Sequence, residues 1–95
     1  MTVKNTLDER QGRYGTFMDN ATIAQDLKEY IRKTPSYKIL EADQREALDN
    51  IMIKTSRILS QGTDPEYIDN WLDIAGYAQL VVDRLELDQS DTAIE

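Results

Sequence analysis

The feature that most constrains this chain is an apolar stripe at helical spacing. Ala47, Leu48, Ile51, Met52, Thr55, Ile58 and Leu59 recur three and four residues apart, and an α-helix gathers such positions on one face. Gly62 is a natural C-terminal stop, so this helix spans about 42–61. Thr63-Asp64-Pro65-Glu66 follows at once and reads as the start of another helix. Thr63 would cap it, Pro65 would sit in its first turn, and Glu66 would complete a capping box. Ile68, Trp71, Ala75, Ala78, Val82 and Leu85 carry this second helix to about Leu87. Two helices joined by so short a turn form an antiparallel hairpin.

Upstream, Phe17, Ala21, Ala24, Leu27 and Ile31 repeat with the same period, predicting a helix over about 17–33 that packs across the hairpin. Thr16-Phe17-Met18-Asp19 can cap it, and Thr34-Pro35-Ser36 ends it, because Pro35 biases Thr34 away from the helical region. Thr6-Leu7-Asp8-Glu9 reads as a capping box opening a short N-terminal helix, broken by Gly12 and Gly15. No alternating strand pattern appears. The expectation is an all-α bundle of three main helices plus a short N-terminal helix. Residues 1–87 form one domain, and 88–95 a flexible acidic tail.

Composition narrows the chemistry. The 95 residues contain no Cys and no His, and the formal net charge is −7. Cys/His zinc sites, thiol catalysis and imidazole base chemistry are therefore excluded. An acidic chain repels phosphate backbones, so conventional nucleic-acid binding is not expected. No apolar run reaches the roughly 20 residues of a membrane span. No signal-peptide core follows Met1, so a cytoplasmic location is the default expectation.

The acids that remain form two patterns. Glu46 and Asp49, with Asn50, Ile53 and Arg57, lie opposite the apolar stripe of the 42–61 helix. Glu66, Asp69, Asn70, Asp73, Tyr77 and Leu80 share one side of the next helix. Solvated faces are the commoner reason for such stripes. Against that, Ile53, Tyr77 and Leu80 lie among the charges, Asp73 stands in an apolar stretch, and Asn50 and Asn70 are poor helix formers with no cap role. The antiparallel geometry sets Glu46 near Asp73 and Tyr77. Carboxylates converging across two helices would make a hard-oxygen site suited to magnesium.

These residues resemble the all-α nucleoside triphosphate pyrophosphohydrolases, the MazG-like and dimeric dUTPase-like superfamily. That family carries acidic pairs on successive helices, here Glu46-Ala47-Leu48-Asp49 and a cluster ending in Asp73. The chain also resembles small phage and prophage helical proteins over about residues 8–85. The matching segments are Glu9-Arg10…Tyr14-Gly15-Thr16-Phe17, Lys54-x-x-Arg57-Ile58 and Asp69-x-Trp71-x-Asp73-Ile74-Ala75-Gly76-Tyr77-Ala78.

The resemblance implies Mg2+, with Mn2+ as a substitute, held by Glu46, Asp49, Asp69 and Asp73, with Glu46 and Asp73 catalytic. Asn70 stands where the superfamily has Glu, and Asp69 would replace the missing carboxylate. Lys54, Arg57, Asn70, Tyr77, Arg13 and Tyr14 are the candidate substrate contacts. Lys54 and Arg57 also read as ordinary cations near a helix C-terminus, and Arg13 and Tyr14 as either a nucleotide lid or a packed arm. Trp71 reads as core or interface. The resemblance further implies a homodimer or higher homo-oligomer in the cytoplasm of an infected or prophage-carrying bacterium. Two functions compete: magnesium-dependent cleavage of a nucleotide to its monophosphate and pyrophosphate, and non-catalytic binding of a host factor.

Overall fold

The computed structural model describes Val3 and residues 16–94. The short helix expected at residues 6–9, and the candidates Arg13 and Tyr14, lie outside the described residues. Within them the chain forms α1 (Phe17–Arg32), a 3-10 turn (Pro35–Ile39), α2 (Ala42–Leu59) and α3 (Ile68–Ile94), with no strand. The all-α class and the α2–α3 hairpin expected from the apolar periods are present.

Local chemistry explains the boundaries. The Thr16 hydroxyl accepts a hydrogen bond from the Asp19 amide at 3.2 Å and opens α1. Pro35 ends that segment, but the chain re-enters a 3-10 turn instead of an open loop. The Gln44 side chain accepts from the Glu41 amide at 2.8 Å and anchors the start of α2. After α2, Gly62 takes φ +81, the left-handed region glycine occupies without strain.

The next helix starts later than its sequence suggests. The Asp64 carboxylate accepts from the Glu66 amide at 2.9 Å, and the Tyr67 amide donates to the Asp64 carbonyl at 3.1 Å. Asp64 therefore organises a separate turn. The expected Thr63/Glu66 capping box is not the start of α3, which begins at Ile68. At its other end α3 continues past Leu87 to Ile94.

Helix α2 lies between α1 and α3 and carries the main contacts of both. The Ser60 hydroxyl donates to Asn20 Oδ1 at 2.6 Å, and the Gln61 amide donates to Asp19 Oδ2 at 2.9 Å. These bonds fix the antiparallel register of α1 on α2. The buried line of α2 runs through Ala47, Met52, Ser56 and Ser60, whereas Leu59, read from sequence as part of the apolar stripe, is exposed. Small residues at the contact let the helices approach closely. The result is a shallow core in which only Ala24, Ala47 and Met52 are buried apolar side chains among the described residues.

Candidate functional site in the α2–α3 seam

Two ion pairs set the register of α2 against α3. Lys54 Nζ lies 2.9 Å from Asp73 Oδ2. Further along, Arg84 grips Asp43 with both arms of its fork, Nε to Oδ2 at 2.9 Å and Nη2 to Oδ1 at 2.6 Å. The Arg84 Nη1 group adds Glu41 and Asp88, each at 3.0 Å. A planar fork on a carboxylate is the stronger form of ion pair. These hydrogen bonds from Arg84 hold the Asp43 carboxyl below its ordinary value and raise the Arg84 guanidinium, the Asp43 bond first in each case.

Moving back along α2 from Lys54 to Asp43 spans as many residues as moving forward along α3 from Asp73 to Arg84. In that register Arg57 stands across from Asn70 and Asn50 across from Tyr77. The structure thus gathers five sequence candidates, Lys54, Arg57, Asn70, Asp73 and Tyr77, along one stretch of the seam. Lys54 is the more enclosed partner of its pair, 16% exposed against 48% for Asp73. Asn70 is 2% exposed, and its Nδ2 group has no hydrogen-bond partner. An open depression of about 400 Å³ adjoins them, lined by Leu72, Asp73, Gly76, Tyr77 and Leu80.

The remaining acids are not drawn in. Glu46 sits about eight residues before Lys54, or about 12 Å along the helix axis, and across from about Val81 rather than from Asp73. Its Oε1 accepts from Asn50 Nδ2 at 3.1 Å. Asp49 points about 140° around α2 from Lys54, toward α1, where its Oδ1 lies 3.9 Å from Arg32 Nη2. That oxygen is buried and accepts no hydrogen bond, so the cation is its compensation. Asp69 Oδ2 accepts from the Tyr67 hydroxyl at 2.9 Å.

Magnesium asks for several oxygens converging near an octahedron. Glu46, Asp49, Asp69 and Asp73 each have a separate neighbour instead. Among the described residues no three carboxylates gather into a group that could hold a metal ion, and one oxygen of Asp73 is already paired with the Lys54 ammonium. The donor set of one chain is therefore not a ready seat for Mg2+.

Arg84 and its three acids are the cluster that sequence reasoning missed. Asp43 and Arg84 lie 41 residues apart, and no local period links them. Trp71, read from sequence as core or interface, is 52% exposed, with its Nε1 group donating to the Pro65 carbonyl at 2.9 Å.

Fold and seam together define an all-α protein whose described residues form three helices, two of them packed on a central one. The chain belongs to the family described as a domain of unknown function, DUF6378, whose family model matches residues 2–84. No curated protein and no solved structure matches it. No helix among the described residues is long and apolar enough to cross a membrane.

Proposed function

We propose that this chain is an acidic interaction protein that binds a host factor stoichiometrically, without metal chemistry of its own. The observation that carries this reading is the dispersal of its carboxylates. Asp26 and Glu29 on α1, Glu46 on α2, Asp64 and Glu66 in the turn after it, and Asp69, Asp83 and Glu86 on α3 are exposed and spread along the body, apart from the three acids gathered on Arg84. An enzyme using carboxylate-held metal gathers its acids in a pocket, whereas an electrostatic partner surface spreads them. With a net charge of −7, the chemistry favours a basic partner surface, such as one that otherwise meets nucleic acid. The phage-type resemblance sets this action in the cytoplasm of an infected or prophage-carrying bacterium.

Native mass spectrometry of the purified chain with fractionated host lysate tests the reading. A partner of fixed stoichiometry, released by added salt and weakened by Glu29→Lys with Glu41→Lys, supports it. Magnesium-dependent release of pyrophosphate by the chain alone would overturn it.

A second reading is the magnesium-dependent nucleotide pyrophosphohydrolase, in a homo-oligomer. One observation favours it: the Lys54–Asp73 pair beside the buried, unpartnered Asn70 amide, next to an open depression. A buried polar group without a partner calls for an explanation, and a role in binding or catalysis is one. A panel of nucleoside triphosphates with Mg2+ tests this reading, with turnover that disappears in Asp73→Ala. A melting shift with Mg2+ that Ca2+ fails to give is its equilibrium counterpart.

A further inference from the structure

The net charge of this protein belongs to one part of the chain. Residues 64–95 hold nine of the 18 acidic side chains but one of the 11 cations. Residues 1–63 hold the other nine acids against ten cations and so come close to neutral. The single cation of the acidic part, Arg84, is already engaged by Glu41, Asp43 and Asp88. Acids are dispersed over every helix, but only along α3 does a basic surface meet uncompensated charge.

The open depression lies on that helix. Its described lining, Leu72, Asp73, Gly76, Tyr77 and Leu80, comes from α3 alone. Asp69 lies one turn before it and Asp83 one turn beyond it on the same side. Each accepts from a neutral side chain, Asp69 from the Tyr67 hydroxyl and Asp83 from Gln79 Nε2, which leaves its charge in place. Asp73 gives Oδ2 to Lys54, and its side chain is 48% exposed, so Oδ1 is left to accept. Gly76 opens the floor. A Cβ built there would meet nothing within 4 Å, so the chain's own packing does not ask for glycine, which is a poor helix former.

We propose that this depression is the anchor point for the basic partner and takes one arginine side chain from that partner's surface. The proposal rests on the interaction-protein reading and names where that contact is made. The apolar stem of the arginine crosses Gly76 between Leu72 and Leu80, as long cationic side chains do on apolar surface. The guanidinium donates to Asp73 Oδ1, and its plane stacks against the Tyr77 ring. Lys54 holds the Asp73 carboxylate in place for this contact. A buried arginine anchor within a wider charged rim is a common source of affinity between proteins.

Nuclear magnetic resonance of the 15N-labelled full chain tests the site with N-acetyl-argininamide as the probe. The probe should move the Gly76 and Tyr77 amide signals to saturation, with a Kd on the order of 1 mM. Its citrulline counterpart, of the same shape but neutral, should bind at least about tenfold more weakly. Asp73→Asn should remove that difference. Gly76→Met should abolish the shifts while keeping the helix, because methionine favours it and the space above Gly76 is open. Equal binding of the two probes, shifts confined to α1 and α2, or a Gly76→Met chain that binds like wild type would each overturn the proposal. The two readings can also fail separately. An arginine probe that seats while no host partner is found leaves the pocket standing and removes the host factor. A captured host partner that Gly76→Met holds as tightly as wild type does the reverse.

Discussion

Asn70 occupies one of the most enclosed positions in the protein, and its Nδ2 group donates to nothing. Leaving a buried amide donor unpaired costs about 1–3 kcal/mol, so Asn70→Leu should make the protein more stable. Leucine removes that cost and adds apolar contact in the seam. The change of shape takes back up to about 1.5 kcal/mol, which leaves a net gain of about 1 kcal/mol. In a domain of this size that is a rise in Tm of about 4–8 °C. Asn70→Ala removes the same donor but opens a cavity, so it should fall below Asn70→Leu. Urea melts followed by circular dichroism, with wild type and both variants at one protein concentration, measure all three. A Leu variant less stable than wild type by 1 kcal/mol or more would refute the reasoning, because it would mean that the amide is fully paired in solution. A stable variant that no longer binds its partner or ligand would show that Asn70 is kept for binding.

Three further outcomes follow from the packing and the ion pairs. Met52 is 5% exposed at the centre of a shallow core, so Met52→Ala should cost about 2–5 kcal/mol in a denaturant melt. A double-mutant cycle with Lys54→Met and Asp73→Asn should give a coupling of about 0.2–1 kcal/mol, the range for exposed pairs, toward its upper end because Lys54 is enclosed, and a coupling near zero would remove the pair from the site. The Arg84 fork holds Asp43 below its ordinary value of 3.8. That contribution is therefore present above pH 3.8 and is lost as pH falls through the lower folded value. In acid melts the advantage of wild type over Asp43→Asn should shrink below about pH 4.

The helices were legible where caps and periods are local. Thr16, Pro35 and Gly62 mark ends of elements within a residue or two of where they fall. The start of α3 was misread because Asp64 accepts from the Glu66 amide and builds a separate turn ahead of the helix, and two competing turn chemistries look alike in sequence. Lys54, Asp73, Asn70 and Tyr77 were legible as unusual residues on helix faces. What faces what was not, since the register of α2 on α3 rests on Arg84 and Asp43, far apart in the chain. For the same reason the sequence set Glu46 beside Asp73, where the folded chain separates them.

The central place of α2 has a consequence for how the protein opens. Either outer helix can come away while the other stays docked, but exposing the buried face of α2 requires both to leave. Amide hydrogens around Met52 and Ser56 should then exchange only through global unfolding. Those of α1 and α3 should report cheaper, separate openings, which makes the middle helix the slow clock of the molecule.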